Sequence, residues 1–119
     1  MRKILFPALI FLLIACNKEP MRATSVLLRI HNETNQSFTQ VLTNNESFSN
    51  VAANAISDYQ SFVQIISSPS CILISGSDTS AAGYLPIDDV TFIITGKYTL
   101  EIKTDATTAT GYSCAYKED

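Results

Sequence analysis

From Lys97 to Lys103 the chain alternates without a break: Tyr98, Leu100 and Ile102 fall on one side, Lys97, Thr99, Glu101 and Lys103 on the other. A period of two puts all the apolar side chains on one face only if the backbone is extended, so this segment is a strand with one buried side. A polar loop, Asp105 to Gly111, follows, and Tyr112, Cys114 and Tyr116 then repeat the alternation, which makes a hairpin and turns Cys114 inward. Val26, Leu28 and Ile30 alternate with Leu27, Arg29 and His31 in the same way. A strand cannot satisfy its backbone alone, so a chain built on this pattern must make sheets.

The remaining segments are short and separated by turn residues. His31 to Ser37 is a polar turn, and Phe38 to Thr43 is a strand with Phe38 and Leu42 on one face and Val41 on the other. After the break at Asn44-Asn45-Glu46, Phe48 and Val51 bracket a further segment; Val51 to Ile56 is readable as strand and turn or as a short helix. Ser57 to Ile66 is extended again, with Tyr59 and Val63 against Phe62. Cys71 to Ser75 has the composition of a buried strand, Gly76-Ser77-Asp78 that of a hairpin tip, and the return strand takes in Tyr84 and Leu85 before Pro86 ends it. Val90 to Thr95 is a further extended stretch. Six to eight short strands at this spacing predict an all-β domain over residues 24–119, a single antiparallel β-sandwich of immunoglobulin-like general shape.

The first residues follow other rules. Met1-Arg2-Lys3 gives a positive start, and Ile4 to Ala15 is an apolar run containing Pro7. It falls short of the roughly 20 residues a membrane-spanning helix needs, and reads as a secretory signal over residues 1–15. Leu13-Ile14-Ala15 leads directly into Cys16, which resembles the lipobox of bacterial lipoproteins. The resemblance implies a diacylglycerol on the Cys16 thiol, cleavage before Cys16, and a further acyl chain such as palmitate on the freed amine. One acyl chain binds a membrane only marginally, whereas each buried methylene adds about 0.8 kcal/mol, so a doubly acylated cysteine anchors stably. Residues 16–23 are then lipidated cysteine and tether. By the sorting pattern of such lipoproteins, Asn17, where an Asp would retain the protein at the inner membrane, implies the outer membrane. Lys18-Glu19 resembles the export signal of Bacteroidota surface lipoproteins, so the periplasmic side and the cell surface both stay open.

Loss of Arg2 and Lys3 with the signal leaves six basic against eleven acidic residues, a formal charge of −5. Arg22, Arg29, Lys97, Lys103 and Lys117 are scattered, which argues against nucleic acid as a partner. Cys71 and Cys114 remain as an even pair in an oxidising compartment, where a disulfide is expected; two buried free thiols are the alternative. Closing the 43-residue separation would stabilise the fold by roughly 4 kcal/mol in the chain-entropy picture.

Several stretches together resemble a family of small, functionally uncharacterised Bacteroidota lipoproteins with a β-sandwich body. They are Leu28-Arg29-Ile30-His31-Asn32, Phe38 and Val41, Phe48-Ser49-Asn50-Val51 through Ala53 to Ser57-Asp58-Tyr59-Gln60-Ser61-Phe62, Pro86-Ile87-Asp88, and Gly96 to Ile102. Members of that family usually carry Gly where this chain has Ser49 and Asn54; Asn tolerates a left-handed turn, which leaves Ser49 as the departure. The resemblance implies no catalytic residue, ligand or cofactor.

No catalytic residue is assigned from the sequence. His31 is the lone histidine, lacks a nucleophile elbow, and adjoins a turn. Asp88 and Asp89 are adjacent, so on an extended chain they point apart. Cys71, Cys114 and His31 are too few for a metal site. The sequons at Asn32, Asn35 and Asn45 read as turn sequence, and the five tyrosines as packing, with an exposed platform as the competing possibility. The expectation is a non-catalytic binding or structural module, held on a membrane through Cys16, for an envelope protein or glycan. The alternative is a small envelope enzyme or enzyme inhibitor with its site in the loops at residues 44–50 and 75–83.

Overall fold

A computed structural model describes residues 25–84 and 88–119. These residues form an all-β sandwich, with ten strands rather than six to eight because several expected strands are split or joined by short pieces. The first sheet contains β1 (Val26–Asn32), β4 (Gln60–Phe62), β9 (Gly96–Thr104) and β10 (Tyr112–Glu118), in the order β10-β9-β1-β4. The second contains β2 (Phe38–Thr43), β3 (Glu46–Val51), β6 (Ser70–Ser75) and β7 (Asp78–Gly83), in the order β3-β2-β6-β7. A two-stranded third sheet pairs β5 (Ile65–Ile66) with β8 (Phe92–Ile93).

The alternation in β1 and β9 works as expected. Val26, Leu28, Ile30, Leu100 and Ile102 are all fully buried, and they meet Val41, Phe48, Val51, Cys71 and Leu73 from the second sheet. Phe48 stacks on Phe62 with ring centroids 6.3 Å apart, and Phe38 meets the edge of Tyr112 at 5.9 Å, so aromatic pairs tie the two layers.

The first sheet departs from an all-antiparallel arrangement. β1 runs parallel to β9, from Val26 opposite Gly96 to Asn32 opposite Ile102. A parallel pair needs a crossover, here the passage through the second sheet, and side-chain alternation carries no information about direction. The strand orders also differ from the ABED and CFG sheets of an immunoglobulin domain.

Phe38 and Val41, not Phe38 and Leu42, share the core side of β2. Their partners Val51 and Phe48 show the same odd spacing. Between them Asn50 has φ +54°, so a left-handed residue re-aims both strands in step. Between Phe48 and Asn54 the left-handed positions are Asn50 and Asn54 (φ +59°), so Ser49 sits in ordinary backbone. No helix forms over Val51 to Ile56; Ile56 instead bridges to His31.

The hairpin tips follow local chemistry. Asn44 and Asn45, with φ of +53° and +64°, make a two-residue turn of the type that matches strand twist. Gly76 (φ +63°) begins the turn from β6 to β7. The return strand ends at Gly83 (φ +73°), short of Tyr84, which is exposed; Leu85 and Pro86 lie outside the described residues. Ser57 to Ile66 is likewise broken, because β4 joins the first sheet while β5 leaves for the third, with the bend at Val63.

Candidate functional site

Cys16, with the expected signal and tether, lies outside the described residues. The chain enters the sandwich at Val26, opposite both Phe62 and Gly96. The same pole therefore carries the end of β4, the start of β9, the small third sheet and the Asn44-Asn45 turn.

Asn44 organises this pole. Its Oδ1 accepts the Ile66 amide at 2.7 Å, its Nδ2 donates to the Tyr116 hydroxyl at 3.2 Å, and that hydroxyl donates to the Ile66 carbonyl at 2.9 Å. Burial pushes the Tyr116 phenol above its ordinary value, against the opposing hydrogen bond from Asn44. Both backbone groups of Ile66 are thus held, and with them β8, since Ile66 pairs with Phe92. Ile65 is buried and Ile93 packs on the core, while Val63, Phe92 and Ile94 are 80%, 48% and 52% exposed.

Beside this clamp a cleft of about 690 Å³ runs between the Asn44-Asn45 turn and the end of β7, with Ile66 and Tyr84 on its walls and Cys71 among its lining residues. Ser47 Oγ, also in its lining, is buried without a hydrogen-bond partner. The cleft reaches the two loop regions singled out from sequence, but its lining is mainly apolar, with one carboxylate, Glu46, and without His31.

Cys71 and Cys114 are brought together across the sandwich and are both free, so the expected cross-link is not formed. Cys71 lies opposite Ala82 on β7, and Cys114 comes against the neighbouring Gly83, where an added Cβ would stand 3.0 Å from its Sγ. The hydrogen bond to Cys114, with burial behind it, pushes the Cys71 thiol up, whereas the same bond lowers Cys114 against the effect of burial.

His31 gains one neighbour that the local sequence supplies and one that it does not. Glu33 approaches its Nδ1 at 3.7 Å, and parallel pairing places Glu101 opposite His31, so ligand atoms from all three lie within 4.8 Å of one another. Glu33 is legible as the same-face neighbour two residues on; Glu101 depends on a register that links residues 70 positions apart. Two carboxylates and an imidazole are a familiar cation donor set, but each is partly or fully exposed here, and among the described residues no further His, Cys, Asp or Glu joins the group.

A second polar group covers the outer face of the first sheet. Arg29 Nε donates to Thr99 Oγ1 at 3.0 Å, Thr99 donates to Asp119 at 2.8 Å, and Tyr59 donates to Asp119 Oδ2 at 2.7 Å with the Arg29 guanidinium 4.7 Å above its ring. Burial opposes ionisation of Asp119, but these donors and the Arg29 charge together hold its carboxyl below the usual range. The tyrosines consequently make no common platform: Tyr98, Tyr112 and Tyr116 pack on the core, Tyr59 lies under Arg29, and Tyr84 stands exposed.

Asn32, the first sequon residue, is fully buried, which rules out a glycan there. Asp88 and Asp89 are both exposed, and Asp89 takes φ +54°, the backbone of a turn. Compared with known proteins, the chain matches no family model and no curated sequence.

Proposed function

We propose that the chain is a lipid-anchored envelope protein whose β-sandwich serves as a non-catalytic binding or structural module for a protein or glycan partner. The observation that carries this reading is the run Ile4 to Ala15 closing on Cys16, a short distance before the sandwich begins at Val26. Acyl chains on Cys16 fasten the body to the outer membrane, on its periplasmic or outer side. The likeness to small Bacteroidota lipoproteins with a β-sandwich body supports the same placement. In that oxidising setting Cys71 and Cys114 close to a disulfide, each thiol giving up a proton and an electron to the compartment's thiol oxidant.

Labelling cells with an alkyne analogue of palmitate tests the anchor. The wild-type chain takes up label and fractionates with membranes, whereas Cys16→Ala does neither. Affinity capture from detergent-solubilised membranes then tests the module: an envelope protein or glycan is retained by the wild type. An empty capture, or turnover of a substrate, counts against it. The second reading, an enzyme or enzyme inhibitor, draws on the cleft with its unpartnered Ser47 hydroxyl and Glu46. A measurable activity abolished by Ser47→Ala would replace the first reading with the second.

A further inference from the structure

Val63, Phe92 and Ile94 stand exposed at one end of the sandwich although each lies beside a residue that packs inward: Phe62, Ile93 and again Ile93. Alternation through β8 and into the residue after it turns Ile93 toward the core and leaves Phe92 and Ile94 outside. The position is fixed from below, because Asn44 and Tyr116 hold both backbone groups of Ile66, the partner of Phe92, and the Ser67 amide donates to the Thr91 carbonyl at 2.9 Å. This is a built apolar projection and not a loose loop.

Its location says what meets it. Val63 follows Phe62, and Ile94 precedes Gly96 by two residues; Phe62 and Gly96 are the two partners of Val26, where the chain enters β1. The ten residues from Cys16 to Ser25 precede that point and, even fully extended, reach at most roughly 35 Å. A lipid on Cys16 therefore confines this pole, and no other part of the body so closely, to the neighbourhood of the bilayer. Tethering over such a distance gives a local concentration in the millimolar range, so a few apolar side chains suffice for contact. The opposite pole, with Ile56 bridged to His31, is about 17 Å further along β1.

We infer that Val63, Phe92 and Ile94 form a lipid-contact surface that seats the tether pole of the sandwich in the membrane interface. This rests on the proposed acylation of Cys16. Asp88 and Asp89 lie within four residues of Phe92 in the chain and Lys97 within three of Ile94, all exposed, so the local charge is mixed and the contact is apolar, without dependence on attraction to anionic headgroups.

The chain has no tryptophan, which allows a single reporter. Phe92→Trp, and separately Ile94→Trp in case one substitution disturbs packing, are purified as the acylated protein and placed in phosphatidylcholine vesicles containing lipids brominated high on the acyl chain. The expected result is a blue-shifted emission and a loss of roughly twofold or more to the bromines, unchanged by added salt; Ile56→Trp is unquenched. A parallel arm replaces residues 1–15 by a hexahistidine tag, carries Cys16→Ala, and holds the protein on nickel-chelating vesicles through a tether of the same length. Quenching in that arm alone, with no acyl group found on Cys16 by mass, sinks the anchor and keeps the contact. Water-exposed, unquenched emission from both reporters in both arms overturns the contact whatever the state of Cys16, as does sedimentation showing a dimer whose formation buries the two reporters against a second copy.

Discussion

Asn32 is the residue whose loss the sandwich should feel most for its size. It is fully buried at the end of β1, and its amide donates to the carbonyls of Gln36 at 2.7 Å and Ala52 at 3.1 Å. Its Oδ1 accepts the Thr34 amide at 3.0 Å and the Thr34 hydroxyl at 2.7 Å. One side chain thus joins the end of the first strand, the turn after it and the turn after β3. Each such bond is worth about 1 kcal/mol net, and the groups left behind are buried, so Asn32→Ala should cost about 3–4 kcal/mol. Against the roughly 5–14 kcal/mol of a domain this size, that is a large share. Asn32→Asp keeps the shape but turns a carboxylate oxygen toward the Gln36 and Ala52 carbonyls. At neutral pH it should be at least as damaging. The folded state then raises the pKa of that new acid above its unfolded value, so the variant regains stability as pH falls through the folded value, when a protonated oxygen can donate again. Urea unfolding followed by far-UV circular dichroism, for wild type and both variants at pH 7 and pH 5, reads these effects as midpoint shifts at constant slope. A cost below about 1 kcal/mol for Asn32→Ala, or a pH-independent penalty for Asn32→Asp, would refute the reasoning.

At Gly83 a Cβ would sit 2.1 Å from the Pro69 carbonyl oxygen, at φ +73°, so Gly83→Ala should lose roughly 3 kcal/mol or more, whereas Gly76→Ala meets open space and should lose only about 1 kcal/mol; thermal melts of the pair decide. Asn44→Gly keeps the left-handed turn and removes the clamp, so the Ile66 amide should exchange its hydrogen at least tenfold faster, which backbone exchange by NMR reads directly. Oxidation of Cys71 and Cys114 should raise the unfolding free energy by up to roughly 4 kcal/mol without a change of fold, and non-reducing peptide mapping should find the two linked in protein taken from the envelope; free thiols there contradict it. The Asp105 carboxyl, held low by hydrogen bonds from Thr107, and the Asp119 carboxyl, held low by Tyr59, Thr99 and Arg29, favour the fold above the ordinary carboxylate range, and that contribution is lost as pH falls through their lowered values. Asp119→Asn should flatten the acid limb of the stability profile.

What sequence revealed is what short-range chemistry determines. Period-two alternation placed Val26, Leu28, Ile30, Leu100 and Ile102 in the core, and turn residues marked the hairpin tips at Asn44-Asn45 and Gly76. What it missed depends on partners distant in the chain. The parallel register of β1 on β9 brings Glu101 to His31 and Thr99 to Arg29, and no local pattern encodes it. Alternation also misplaced Leu42, because one left-handed asparagine across the ladder, Asn50, shifts which side chains face inward. Asn32 read as turn sequence for a related reason: a polar residue is legible as buried only once the carbonyls it satisfies have been brought around it. Composition pairs Cys71 with Cys114, and packing of β10 against β7 brings them together as free thiols.

The most direct measurement is the intact mass and N-terminal fragment spectrum of the chain purified from the cells that make it. Processing between Ala15 and Cys16, with diacylglycerol in thioether linkage and an acyl group on the new amine, is the expected result. A chain still beginning at Met1, or a mature N-terminus without fatty acid, would contradict the placement of this sandwich on a membrane.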